Sequence, residues 1–169
     1  MVEVELSSVR VDLRSNTPLI LLREIAEPHR SLPIFIGAPE ATAIAMAQRG
    51  YEAPRPLTHD LALELVGRLG GSIERVVVVD LVEATYYADI HLVGPLGKTV
   101  VSARPSDAVA LAIRARVPIF VADDLMAREG VVVQEEEAFE DNLEVEGEEA
   151  EVLDEFREFL NNITPEDFS

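Results

Sequence analysis

Hydrophobic residues recur at two different spacings along this chain, and the spacing separates predicted strands from predicted helices. Residues 2–13 alternate apolar and polar side chains, which indicates one β-strand with a bulge, or two short strands separated at Ser7-Ser8. Aliphatic runs bounded by glycine, proline and charged residues predict the remaining strands. The predicted strands cover residues 2–13, 18–25, 32–36, 73–82, 86–93, 99–101 and 118–121.

Three segments repeat their apolar residues at intervals of three and four, as the buried face of a helix does. The first begins near Pro39 and stops at Gly50, and the second follows Asp60. The third begins at Ser106, whose hydroxyl we expect to cap it. The residues predicted to face inward are Ala41, Ile44, Ala45 and Gln48 in the first helix, Leu61, Leu65, Val66 and Leu69 in the second, and Val109, Ala112 and Ile113 in the third.

The order of three strands followed by a helix occurs twice, once before residue 50 and again in residues 73–117. The starts of the two helices align without gaps, residues 40–46 against residues 107–113. This repetition predicts an α+β fold with an internally duplicated strand-strand-strand-helix unit. We expect a mixed or antiparallel sheet with the helices packed on it.

Charge is distributed unevenly between two parts of the chain. The 169 residues carry a net charge of −18, but residues 135–169 hold 15 acidic residues and one basic residue. Residues 1–134 hold 17 acidic and 13 basic residues and are only mildly acidic. We therefore predict a domain over residues 1–134 and an acidic tail over residues 135–169, with an amphipathic helix near its end.

Composition narrows the functional classes. Cysteine is absent, which excludes disulfides and thiolate metal sites. No apolar run approaches the roughly 20 residues that a membrane helix needs, and no charged-then-apolar leader opens the chain. We expect a cytoplasmic protein without a membrane partner, and no organic cofactor is indicated.

Polar residues that suit phosphodiester chemistry collect where predicted elements meet. Carboxylates bind a hard divalent cation, an imidazole moves the proton of water, and guanidinium groups match phosphate oxygens at two points. If the two repeats pack as a pair, the starts of their helices converge on one cleft suited to anions. The candidate residues are Glu40, Arg55, Thr58, His59, Asp60, Arg104, Ser106 and Asp107.

A structural role is open for most of these residues. Acidic side chains are favoured in the first turn of any helix, so Glu40 and Asp107 need have no further role. Asp60 or Thr58 would serve equally well as a cap. His59 is the hardest to explain by structure alone, because it stands beside an acid that can orient its ring.

Three ordered motifs resemble the bifunctional nuclease family over about residues 1–130. They are residues 32–37 with Glu40-Ala41, residues 55–61, and residues 103–108 with Leu111-Ala112. The resemblance implies a small α+β domain that often self-associates and has nuclease activity on DNA and RNA. Carried over by position, it implies the same eight polar residues as the site.

We assign roles to these residues as a hypothesis. Asp107, Asp60 and Glu40 would hold Mg²⁺ or Mn²⁺, with His59 activating water. Arg55, Arg104, Thr58 and Ser106 would bind the substrate phosphate. The partners expected are nucleic acid as substrate and a second copy of the chain.

The acidic tail leaves an alternative open, because negative charge repels a nucleic-acid backbone. The tail either occupies the cleft as an internal polyanion, or serves solubility and partner contact while the site works on short substrates with the help of a metal ion. A separate alternative is a non-catalytic, homo-oligomeric regulatory domain whose acidic tail contacts a partner.

Overall fold

The computed structural model describes residues 1–12 and 15–132 of the chain. They form one seven-stranded mixed sheet with helices, which confirms the predicted α+β class. Contacts group Met1–Val132 into one compact unit, and the predicted acidic tail with its terminal helix lies outside the described residues. The elements are β1 (Val2–Asp12), β2 (Thr17–Glu24), β3 (Ser31–Phe35), α1 (Ala38–Gln48), α2 (Thr58–Arg68), β4 (Ser72–Val82), β5 (Thr85–Gly94), β6 (Gly97–Ala103), α3 (Pro105–Ala115), β7 (Ile119–Val121) and α4 (Asp123–Glu129).

The strand order is β3-β2-β1-β7-β4-β5-β6, so the two antiparallel three-strand units flank β7. The short strand β7 joins them, pairing antiparallel with β1 and parallel with β4. Each three-stranded unit leads to a helix that packs on it, α1 on β1 and β2 and α3 on β4 and β5, and the two helices also pack against each other. This order matches the repeat read from the sequence, while its origin by duplication stays a prediction.

The opening segment is a single strand with an irregularity. The pairing of β1 with β2 shifts between Leu6 and Ser8, so one strand with a bulge is the form adopted. The core below it is aliphatic, with Ile20, Leu22 and Ile44 fully buried. Burial of such side chains is the main favourable contribution to folding.

Small side chains let α3 approach the sheet closely. Ala108, Ala110 and Ala112 are all buried, as is Val109, while Ile113 is half-buried. The helix begins two residues earlier than predicted. Its N-cap is Arg104, so Ser106 lies inside the first turn and the capping role predicted for Ser106 is wrong.

Burial differs from prediction on the first two helices. Gln48 is exposed, and Met46 takes the buried position on α1 instead. In α2 the prediction is wrong for three of four residues: Leu61, Leu65 and Leu69 are exposed, and only Val66 is partly covered. The periodicity correctly predicts a helix, but it does not tell which side of that helix meets the core.

The last helix of the described chain, α4, was not predicted. Its first residues, Asp123 and Asp124, are favourable at a helix start, and its buried residues are Leu125 and Met126. It is only 7 residues long, too short for a clear periodic signal. Among the described residues, no helix has both the length and the apolar character needed to cross a membrane.

Candidate functional site

Contacts between three helix starts bring polar residues together. Glu40, Asp60 and Asp107 each occupy the third position of their helices, α1, α2 and α3. A negative charge there is favourable because the first-turn backbone N–H groups lack partners within the helix and carry positive partial charge. Two of the three acids join one network, and the third does not.

The Arg104 guanidinium links α1 to α3. Its Nη1 donates to Glu40 Oε1 at 2.7 Å, and its Nε and Nη2 donate to Asp107 Oδ2 and Oδ1 at 2.7 and 3.1 Å. The contact with Asp107 is a two-point fork, the geometry that guanidinium shares with carboxylate and phosphate. These hydrogen bonds raise the pKa of Arg104, so it stays charged.

His59 extends the network to α2. Its Nε2 lies 3.3 Å from Asp107 Oδ1, and both side chains are largely buried. Burial raises the pKa of Asp107, but hydrogen bonds from Arg104 and His59 outweigh it and the pKa is lowered overall. Asp107 is therefore an anion that holds the imidazole on one side and the guanidinium on the other.

A cleft of about 440 Å³ opens beside this network. Of the predicted site residues, Glu40, Arg104 and Ser106 line it, and Arg104 is mostly exposed there. His59 and Asp107 are not among its lining residues, and they connect to it through Arg104. The part of the network that lines the cleft is therefore Arg104 with Glu40, and Arg104 is the more exposed of the two.

Asp60 has different partners. Its Oδ1 accepts from Arg114 Nε at 2.8 Å, and its Oδ2 accepts from the Leu57 backbone N–H at 3.0 Å. Arg114 lies seven residues beyond Asp107 on α3, about 10 Å along the helix axis. Asp60 therefore caps α2 and ties it to the far end of α3, away from the network at the start of α3.

Arg55 and Thr58 are exposed, in the turn before α2 and at its first position. Neither side chain makes a hydrogen bond or ion pair to the described residues. The structure thus joins Glu40, His59, Arg104 and Asp107, places Ser106 at the cleft, and leaves Arg55, Thr58 and Asp60 apart from the cleft lining.

The arrangement of the carboxylates bears on the expected metal ion. A hard divalent cation needs several anionic oxygens facing one point. Here the Arg104 guanidinium lies between Glu40 and Asp107, and Asp60 is bonded to Arg114. In the described part of the chain, no three His, Asp or Glu side chains lie close enough together to hold one ion. These residues do not fit a preformed cation site, and the Mg²⁺ or Mn²⁺ inferred from the sequence stays a prediction.

Two residues that line the cleft, and the arginine that binds Asp60, were not singled out from the sequence. Phe35 and Tyr86 line the cleft, and the Tyr86 hydroxyl donates to the Pro33 carbonyl at 3.3 Å. Burial raises the pKa of Tyr86. Arg114 was missed because a basic residue in the last turn of a helix is ordinary there. No local signal shows that strands distant in sequence bring these side chains together.

Comparison with known proteins gives matches over the part of the chain that carries the candidate site. A family model described as the bifunctional nuclease domain matches residues 20–134, which include both α1 and α3. An uncharacterized protein of Mycobacterium tuberculosis is 45% identical over 168 residues, covering 99% of this chain and 98% of that protein.

Two plant proteins also match. Bifunctional nuclease 1 of Oryza sativa subsp. japonica is 26% identical over 133 residues, which is 70% of this chain and 40% of the rice protein. Bifunctional nuclease 1 of Arabidopsis thaliana is 29% identical over 121 residues, which is 70% of this chain and 37% of that protein. The chain therefore spans well under half the length of these plant relatives.

Proposed function

The chain belongs to the bifunctional nuclease domain family, and from this membership and the network at the helix starts we propose that it hydrolyses phosphodiester bonds of DNA or RNA. One observation carries the proposal. The charged guanidinium of Arg104 at the cleft is joined through the Asp107 carboxylate to the imidazole of His59. His59 and Asp107 belong to different helices and are 48 residues apart in the sequence. A group that can bind phosphate at the cleft is thereby linked, through Asp107, to a group that can transfer a proton.

Arg104 is the group we propose to bind phosphate. Its guanidinium reaches the cleft and already makes a fork with a carboxylate, whose geometry a phosphate reproduces. An incoming phosphate would compete with Glu40 for Nη1 while the Asp107 fork stays in place. Glu40 in this account positions Arg104 and is released on substrate binding.

His59 is the proposed general base. In this proposal the His59 Nε2–H donates a hydrogen bond to Asp107 Oδ1, which leaves Nδ1 with a lone pair. Nδ1 takes a proton from water as the water oxygen bonds to phosphorus. The bond from phosphorus to the leaving oxygen then breaks, and that oxygen takes up a proton from solvent. A positioned general base contributes about 10²–10⁴-fold to such a step.

The test is cleavage of single- and double-stranded DNA and RNA oligonucleotides by the purified full-length protein, with Mg²⁺, with Mn²⁺ and with chelator. His59→Ala and Asp107→Asn should each lower the rate at least about 100-fold. His29→Ala is the matched control, because His29 lies in a turn and contacts Glu27 and the Glu24 carbonyl. Cleavage that survives both site substitutions would show a contaminating nuclease and end the proposal.

The alternative, a non-catalytic regulatory domain with a partner-binding acidic tail, also has support in the structure. Glu40, Asp60 and Asp107 are each paired with an arginine, as structural acids usually are. On this account the wild-type protein cleaves no oligonucleotide under any metal condition. Arg104→Ala would then lower the free energy of unfolding by about 1–2 kcal/mol and change nothing else.

A further inference from the structure

The polar part of the cleft has the groups that bind an anion. Ser106 lines the cleft and is only 6% exposed, and its hydroxyl makes no hydrogen bond to the described residues. Ser106 and Asp107 are the second and third residues of α3, where backbone N–H groups have no acceptor within the helix. The start of α3, this hydroxyl and the charged guanidinium of Arg104 therefore lie at one cleft, and each suits a phosphate oxygen.

Two aromatic rings line the same cleft, one fixed and one exposed. The Tyr86 hydroxyl donates to the Pro33 carbonyl at 3.3 Å, although four strands separate β5 from β3 in the sheet order. This bond holds the two strands close together at the cleft and fixes the Tyr86 ring. Phe35 lies two residues beyond Pro33 on β3 and is 56% exposed, while its neighbours Ile34 and Ile36 are buried. The phenyl ring of Phe35 is therefore open to a ligand in the cleft.

An exposed aromatic ring beside an anion site suits a nucleotide. Every base has a π-face, so bases stack on aromatic side chains whatever their identity. The cleft volume of about 440 Å³ is in the range of sites that hold one small ligand, so it has room for a nucleotide and not for a double helix. A base inside a duplex is stacked on its neighbours and reaches Phe35 only when it is unpaired and turned out.

We propose that the cleft receives one unpaired nucleotide of a nucleic acid, with its phosphate on Arg104 and Ser106 and its base stacked on Phe35. The inference rests on the function proposed above and deepens it, because it makes single strands the preferred substrate over duplexes. Arg104 supplies the charge contact that both forms make, and Phe35 supplies the contact that only an unpaired base makes. Discrimination between the two forms therefore resides in Phe35 and not in the network that joins Arg104 to His59.

The first test uses the absence of tryptophan from the chain. Phe35→Trp introduces the sole tryptophan of the full-length protein at the proposed stacking position, where a stacked base quenches its fluorescence. The probes are a short single-stranded DNA oligonucleotide, its duplex, and the same strand with abasic residues in place of its bases, each with Mg²⁺ and with chelator. We expect saturable quenching by the single strand, with an affinity about 5-fold or more above that of the duplex, and no quenching by the abasic strand.

Leu96→Trp is the matched control. Leu96 is fully exposed in the turn between β5 and β6. It lies ten residues beyond Tyr86, roughly 30 Å along the strand at about 3.4 Å per residue. A tryptophan there is accessible to nucleic acid but far from the cleft, so its fluorescence should be the same with the single strand as with the duplex.

The second test separates stacking from apolar contact alone. Phe35→Leu keeps an apolar side chain without a flat ring, and Phe35→Tyr keeps the ring. Binding is measured by fluorescence anisotropy of a labelled oligonucleotide, with far-ultraviolet circular dichroism to verify folding. Phe35→Leu should weaken single-strand binding about 5-fold or more and leave duplex binding unchanged, while Phe35→Tyr should bind both as the wild type does.

The outcomes for binding and for cleavage are separable. Equal affinity of the Phe35→Trp protein for single strand and duplex, quenching by the abasic strand, or wild-type binding by Phe35→Leu would each overturn the inference. If the wild type cleaves both forms at equal rates and the single strand quenches nothing, hydrolysis stands and the stacking site is wrong. If the single strand quenches and no oligonucleotide is cleaved, the cleft binds unpaired nucleotides and the hydrolysis proposed above is wrong.

Discussion

Replacing Asp60 by alanine separates a structural role from a chemical one. The change removes the 2.8 Å bond from Arg114 and the 3.0 Å bond from the Leu57 backbone N–H. Arg114 is only 9% exposed, so its charge loses a partner in a poorly solvated place. A hydrogen bond to a charged group contributes about 1.5–3 kcal/mol, and the 39% exposure of Asp60 favours the lower end.

The lost cap adds to this effect. A capping contact contributes about 1 kcal/mol, so we expect the free energy of unfolding to fall by about 2–3 kcal/mol. For a unit of this size the melting temperature then falls by about 8–12 °C. Urea unfolding followed by circular dichroism measures the first quantity, and calorimetry measures the second.

Asp80→Ala is the control for this substitution. Asp80 also bonds a backbone N–H and an arginine, Arg128, but that arginine is 50% exposed. Loss of this exposed pair should cost less than about 1 kcal/mol. If Asp60→Ala costs no more than the control and still abolishes cleavage, Asp60 acts in the chemistry and the reasoning from Arg114 is refuted.

Three further changes test other parts of the structure. Hydrogen bonds from Arg30 lower the pKa of the buried Glu24 below its ordinary 4.5. The ionised carboxylate therefore contributes its full stabilisation above about pH 4.5, and this contribution is lost as the pH falls through the lowered pKa. Glu24→Gln should flatten the acid side of a plot of unfolding free energy against pH. Gly130→Ala should destabilise the protein by about 1–3 kcal/mol in urea, because its Cβ would clash with the Met126 carbonyl oxygen. Gly67→Ala should raise the stability by about 0.5–1 kcal/mol in the same assay, since open space surrounds that helical position.

Local patterns were enough to predict most elements of the fold. The alternation along residues 2–13 predicts β1. Gly37 and Pro39 mark the start of α1, and Gly50 marks its end. These features depend on neighbours within a few residues, so the sequence carries them directly. The helix α4 was missed because 7 residues are too few for a periodic signal.

The candidate site was predictable as a set of residue types but not as a geometry. The three motifs named Glu40, His59, Arg104 and Asp107, and the fold brings these four into one network. Asp60 stands next to His59 in the chain, yet it faces Arg114 instead. Successive residues on a helix point about 100° apart, so adjacency in sequence does not give a shared site.

By itself, the sequence determined the α+β class, the positions of the strands, the acidic residue in the first turn of α1, α2 and α3, and the family. The tertiary structure alone decided which carboxylate each arginine binds and which side of α2 stays exposed. Those choices depend on where distant segments come to lie, because a long side chain bonds whatever partner the packing brings within about 3 Å.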